Sequence, residues 1–240
     1  MRMKPLLIQT GTPPDAIRER HGDLPDWFAA ALGLTRDQLL VVRAFEGEKP
    51  PALDVRTPAI LTGSWSMVTD REAWSEALAE WIRAAMAIGT PLFGVCYGHQ
   101  LMAHALGGEV GYLAQGREIG SQIVTLSTAG TADPALEHAG SAFTAQLTHM
   151  QTVLAPPAGT TMLARSARDQ HQILRYGPNA LSTQFHPEFT PAITKGIIEA
   201  RADVLQGEGH DPDALRAAVT DAPFPTRMLR DFVVRYSQET

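Results

Sequence analysis

One cysteine, Cys96, serves all 240 residues. A lone thiol closes no intramolecular disulfide, so nothing points to a secreted scaffold stapled by bridges. Positive charge is also scarce. Against 26 Asp and Glu stand 20 Lys and Arg, a net charge of −6, and a nucleic-acid groove would call for a clustered basic face. Long apolar runs are missing. After the basic start Met1-Arg2-Met3-Lys4, Leu6-Leu7-Ile8 gives way at once to Gln9, too short for a signal peptide, and no stretch approaches membrane-spanning length. The expectation is a cytoplasmic protein with neither membrane nor nucleic-acid partner. No repeat, low-complexity tract or linker-like shift interrupts the chain, so 1–240 is expected to form one domain.

What is present alternates. Leu6-Leu7-Ile8 reads as a buried strand running into the loop Gln9-Thr10-Gly11-Thr12, Asp26 to Gly33 as a short helix, and Leu39 to Val42 as a second strand. Thr57 to Ser64 reads as a third strand entering a glycine turn. Thr69-Asp70-Arg71-Glu72 has the form of a capping box opening a helix whose Trp74, Ala77, Leu78, Trp81, Ile82 and Ala85 share a face. A tryptophan stripe at that period is core packing far more often than a ligand platform, and packing is the reading adopted. Gly89-Thr90-Pro91 leads into the apolar strand before Cys96. Short apolar strands alternating with helices imply a parallel sheet covered on both faces, with ligands beyond the strands' carboxyl ends.

The second half changes character. Glu118 to Leu126 alternates apolar and polar, as does His171 to Tyr176, so antiparallel strands are expected there. A turn at Tyr176-Gly177-Pro178-Asn179-Ala180 then precedes a strand over Leu181 to Phe185. From Ile193 to Leu205, Asp211 to Val219 and about residues 224 to 236 the chain reads as helical. Phe224, Leu229, Phe232 and Val233 are expected to pack on the same chain.

Pro91-Leu92-Phe93-Gly94-Val95-Cys96-Tyr97-Gly98-His99-Gln100 organises the rest. A nucleophile on a sharp strand-to-helix turn needs small neighbours, which Gly94 and Gly98 supply, and the following helix N-terminus favours a thiolate. Cysteine catalysis also needs a base and a group that orients it. His186 at a strand's end is the candidate base. Glu188, two residues on, shares its side of an extended segment. The N–H of Tyr97 and that of Gly63, at the end of the neighbouring strand, are natural oxyanion donors. A lone cysteine is most often a buried hydrophobe, and His-Pro-Glu alone could close a turn. The conjunction carries the reading. His99 and His104 do not share a helix face, no Cys/His cluster has ligand spacing, and no phosphate-loop motif occurs, so neither metal nor cofactor is expected.

Gly94 to Gln100 together with Gln184-Phe185-His186-Pro187-Glu188 resembles the class I glutamine amidotransferases, over about residues 5 to 190. The resemblance implies a three-layer α/β/α, flavodoxin-like fold with a mostly parallel central sheet and an antiparallel portion, extended by C-terminal helices over about 191–240. It implies that Cys96 attacks the side-chain amide of glutamine, with His186 as base and acid, Glu188 as its orienter, and Gly63 and Tyr97 as oxyanion donors. It also assigns Gln100, His149 and Met150 to substrate binding. Two departures stand out: no proline follows Gly63, and Gln151 replaces an acid common in the His149 loop. The chain resembles stand-alone relatives of the GMP synthetase glutaminase, which implies a possible ammonia-accepting synthetase partner. It also resembles γ-glutamyl peptidases, which need none. A catalytically silent binding module is the third reading, weakened by retention of all three triad residues.

Overall fold

The computed structural model describes residues 4–52 and 54–237. The basic start at Met1-Arg2-Met3 lies outside the described residues. The first half runs β1 (Leu6–Gln9), α1 (Asp15–His21), α2 (Leu24–Leu32), β2 (Leu40–Arg43), β3 (Ala59–Leu61), α3 (Ala73–Ile88), β4 (Leu92–Val95) and α4 (Tyr97–Ala105). There follow β5 (Glu109–Tyr112), β6 (Glu118–Leu126), α5 (Thr128–Thr131), β7 (Ala142–His149), β8 (Gln151–Ala155), β9 (Thr161–Arg165), β10 (Ile173–Gly177) and β11 (Ala180–Thr183). Last come α6 (Pro191–Ala200), α7 (Ala202–Gly207), α8 (Pro212–Ala217) and α9 (Pro223–Tyr236).

The main sheet has the order β2-β1-β3-β4-β11-β10-β9-β6-β7. From β2 to β11 neighbours pair in parallel; from β11 to β7 they pair antiparallel. β5 and β8 form a separate antiparallel pair. In the parallel part, alternate residues of one strand serve opposite faces. Leu7, Ile60, Phe93 and Leu181 join Phe28, Leu229 and Phe232 in one core. Leu6, Ile8, Leu61 and Leu92 join Leu78, Ile82, Leu101 and Met102 in another. Both faces are covered, so these strands read as continuous apolar runs. This is the mostly parallel α/β sheet with an antiparallel portion that the sequence led us to expect.

The differences are local. The capping box at Thr69 to Glu72 does not form: a 3₁₀ turn spans Val68–Asp70, Arg71 takes φ 53°, and α3 begins after Glu72 with no side-chain cap. The Thr69 hydroxyl instead accepts from Gln151 Nε2 at 2.6 Å, so a tertiary partner outcompetes the local one. Capping boxes form earlier instead, between Asp23 and Asp26, which starts α2 at Leu24, and between Thr35 and Gln38 at a short 3₁₀ turn. The helix expected over 193–205 is broken at Arg201 into α6 and α7. The tryptophan face packs as read: Trp74 stacks on Tyr97 with centroids 5.5 Å apart. α9 lies on the sheet, with Phe232 against Phe93 and Phe224 against Phe143.

Candidate active site

β3, β4 and β11 are adjacent, and each delivers one part of the site at its carboxyl end. Cys96 follows β4 with φ 50° and ψ −97°, a left-handed conformation that side chains rarely adopt and that surroundings must enforce. Two glycines allow the enforcement. A Cβ on Gly94 would lie 2.7 Å from the Gly98 carbonyl oxygen, and one on Gly98 would lie 2.6 Å from the Leu61 carbonyl oxygen. Strand, elbow and helix therefore touch backbone to backbone. Cys96 is a free thiol, 6% exposed.

His186 follows β11, its N–H donating to the Gln146 carbonyl at 2.9 Å. Its ring stacks on Phe189 with centroids 3.9 Å apart, and its Nδ1 lies 2.8 Å from Glu188 Oε1. With Nδ1 donating to the carboxylate, Nε2 is buried and without a hydrogen-bond partner among the described residues. Burial disfavours a charged ring here, but the Glu188 carboxylate and then the Cys96 sulfur outweigh it and hold the His186 pKa at about 10. The pair thus favours an imidazolium beside the thiol.

Gly63 sits between Cys96 and His186. A Cβ there would stand 2.9 Å from His186 Cε1 and 3.6 Å from Cys96 Cβ. Its peptide is held from behind, because the Thr62 carbonyl accepts from Gly98 N–H at 3.1 Å and from the Thr10 hydroxyl at 3.0 Å. A trans peptide points its N–H opposite its carbonyl, so the Gly63 N–H faces away from these anchors. It has no backbone acceptor among the described residues, nor has the N–H of Tyr97. The Tyr97 side chain is fixed by its hydroxyl donating to Ser75 Oγ at 2.7 Å. In place of the absent proline, Ser64 Oγ accepts from Ser66 N–H at 3.1 Å and closes the turn.

The cleft beside Cys96 is lined by Ser64 to Met67, Tyr97, Gln100, Arg117, Thr148 to Gln151 and Arg201. Gln100 commits Nε2 to the Gln151 carbonyl, 2.6 Å, and to Gln184 Oε1, 3.0 Å. His149 is buried, with Nδ1 3.0 Å from the Gln151 carbonyl and Nε2 3.2 Å from Glu118 Oε2. That carboxylate oxygen also accepts from Ser166 Oγ and Gln172 Nε2. Met150 lines the cleft, its carbonyl accepting from Leu113 N–H. All eight residues singled out in the sequence therefore gather at one place.

Sequence reasoning missed Thr10, Glu118, Arg117 and Arg201. Thr10 carried a signal, since it directly follows β1 next to the β3 turn. A glutamate opening β6 and two arginines at element ends look like solvated charge. Glu118, His149 and Asp169 offer ligand atoms within 4.8 Å of one another, a grouping that sequence spacing does not reveal. Glu118 Oε2 and both oxygens of Asp169 accept hydrogen bonds, Asp169 Oδ2 from Thr152 Oγ1 at 2.7 Å and Oδ1 from His171 N–H at 2.8 Å, while Glu118 Oε1 is buried without a partner among the described residues; the group reads as a largely hydrogen-bonded support for the His149 loop.

A family model for "Glutamine amidotransferase class-I" matches residues 59–201. Gamma-glutamyl peptidase 5 of Arabidopsis thaliana is 24% identical over 212 residues, 86% of this chain and 84% of that one. The glutamine-hydrolyzing GMP synthase of Aeropyrum pernix is 32% identical over 115 residues, 48% of this chain and 22% of the enzyme. The crystal structure of a glutamine amidotransferase from Thermotoga maritima superposes with a TM-score of 0.78 at 20% identity, covering all of both chains. The matched region contains the Cys96 elbow, the His186–Glu188 pair and the Gly63 turn between them: this chain belongs to the class I glutamine amidotransferases.

Proposed function

We propose that the protein hydrolyses the side-chain amide of L-glutamine through a γ-glutamyl thioester on Cys96. The carrying observation is the strained Cys96 elbow set against a base already paired to a buried carboxylate. The thiolate attacks the amide carbon, and the N–H groups of Gly63 and Tyr97 receive the oxyanion. Collapse breaks the C–N bond as His186 Nε2 gives its proton to the departing nitrogen, which leaves as ammonia. Water then attacks the thioester, returns a proton to His186, and releases glutamate and the thiol. Glu188 keeps the ring oriented throughout, and Gln100, His149 and Met150 hold the substrate.

The similarity to a glutamine-hydrolyzing GMP synthase supports glutamine as substrate and an ammonia-accepting synthetase as partner. A second reading is favoured by coverage. The similarity spans most of a γ-glutamyl peptidase but under a quarter of the synthase. In that case the same thioester forms from a small γ-glutamyl compound and an amine leaves in ammonia's place. The test is ammonia release from glutamine by the purified chain, alongside amine release from γ-glutamyl peptides. Cys96→Ala is expected to lower either rate by at least about a thousandfold. Turnover undiminished in that variant would remove the thiol from the chemistry.

A further inference from the structure

The cleft beside Cys96 has a charge pattern that the proposed reaction does not use. The chain carries a net charge of −6, yet no Asp or Glu lines the cleft, whereas Arg117 and Arg201 both do. Arg117 is buried and bound in a fork by Glu208, through Nε at 2.9 Å and a terminal nitrogen at 3.0 Å. Arg201 is different. It stands at the break between α6 and α7, with φ −107° and ψ 11°, and its N–H still bonds the last turn of α6. Its Nε is shielded from water and has no partner, and its guanidinium has no ion-pair partner among the described residues. Burial and the neighbouring Arg117 both disfavour its charge, while Glu208 and Cys96 favour it.

Arg117, Glu208 and Arg201 thus leave one uncompensated positive charge at the cleft wall. A partly desolvated guanidinium without an anion is costly, and the cost is relieved when an anion with two coplanar oxygens meets the fork. Free acceptors occur nearby, Thr148 Oγ1 and Gln151 Oε1, both buried and unpartnered, and they suit a ligand that carries donors as well as an anion.

We infer that Arg201, backed by Arg117, forms a carboxylate-binding subsite that selects γ-glutamyl substrates through a carboxylate lying away from the bond that breaks. Since it names the substrate class of the proposed hydrolysis, it rests on that reading. Two carboxylates share this chemistry: the α-carboxylate of the γ-glutamyl unit, and the terminal carboxylate of an amino-acid leaving group.

The experiment uses the full chain carrying Cys96→Ala, which binds without turnover, and calorimetric titration with γ-glutamylglycine. Two analogues accompany it, one with the glycine carboxylate as its amide and one with the α-carboxylate as its amide. One analogue is expected to bind about ten- to a hundredfold more weakly than the parent, the usual worth of a charged hydrogen-bonded pair. Which one it is identifies the carboxylate. Adding Arg201→Gln should abolish that difference, and Arg201→Lys, which keeps the charge and loses the fork, should keep part of it. The lysine variant carries the comparison if the glutamine variant melts early.

Equal preferences with and without Arg201, or no binding of any of the three compounds at millimolar concentration, would overturn the subsite. Turnover by the wild-type chain is measured separately. Arg201-dependent binding without turnover sinks the hydrolase reading and keeps the subsite; turnover with binding indifferent to Arg201 does the reverse.

Discussion

At the scale of single residues, His186 concentrates the proposed chemistry. Glu188 and Cys96 hold its pKa at about 10 against the desolvation that would lower it. A group raised on folding contributes stability fully present below its unfolded value of roughly 6.5 and lost as pH climbs through the folded one. Stability of the wild type against denaturant is therefore expected to fall between about pH 6.5 and 10. Glu188→Gln should flatten that slope and move the alkaline limb of kcat/KM to lower pH. An unchanged slope would remove the imidazolium–carboxylate pair from the account. Cys96, His186 and Glu188 were legible in the sequence because each residue type has a narrow chemical use at that spacing. Arg201 was not. Its role depends on a helix break and on the absence of acids from a wall assembled from distant segments.

At the scale of elements, the elbow is a steric object. Alanine is the better helix former by about 1 kcal/mol, so propensity alone would welcome Gly98→Ala near the start of α4. Against that, the new Cβ would meet the Leu61 carbonyl oxygen at 2.6 Å, and neither backbone can yield without moving β3 or Cys96. Overpacking of this kind costs about 1–3 kcal/mol. The variant is expected to melt earlier and to lose turnover more than substrate affinity, as circular dichroism melts and steady-state kinetics would read. Local signals served well where an element's reason was local, as in the glycine pair or the glycine that closes α2. They failed where a side chain had a better remote partner. Thr69 looked like a cap and instead accepts from Gln151. The strands β7, β8 and β9 escaped notice because buried polar residues such as Gln146, Gln151 and Thr152 blur their alternation.

At the scale of the molecule, the last helix belongs to the same core as the site. Phe232 of α9 packs on Phe93, which lies on the strand that carries Cys96. Phe232→Ala should cost about 3 kcal/mol, and urea unfolding followed by fluorescence and by circular dichroism should stay a single coincident transition. Separate transitions would show that residues 191–237 fold on their own. The alternation of strands and helices made the parallel half readable, and the change to antiparallel pairing was signalled by Glu118 to Leu126. The sheet order was not, because nothing local tells β11 to lie between β4 and β10.

That insertion has a temporal consequence. The proposed nucleophile and oxyanion donors are complete by residue 97, but the proposed base arrives at residue 186, after the chain has travelled out through the antiparallel strands and back. Until β11 docks against β4 the thiol has neither a proton carrier nor the Glu188 carboxylate beside it. In the proposed reaction a growing polypeptide would carry its sulfur unarmed, because β11, the last strand in chain order, is the one that leads to the base.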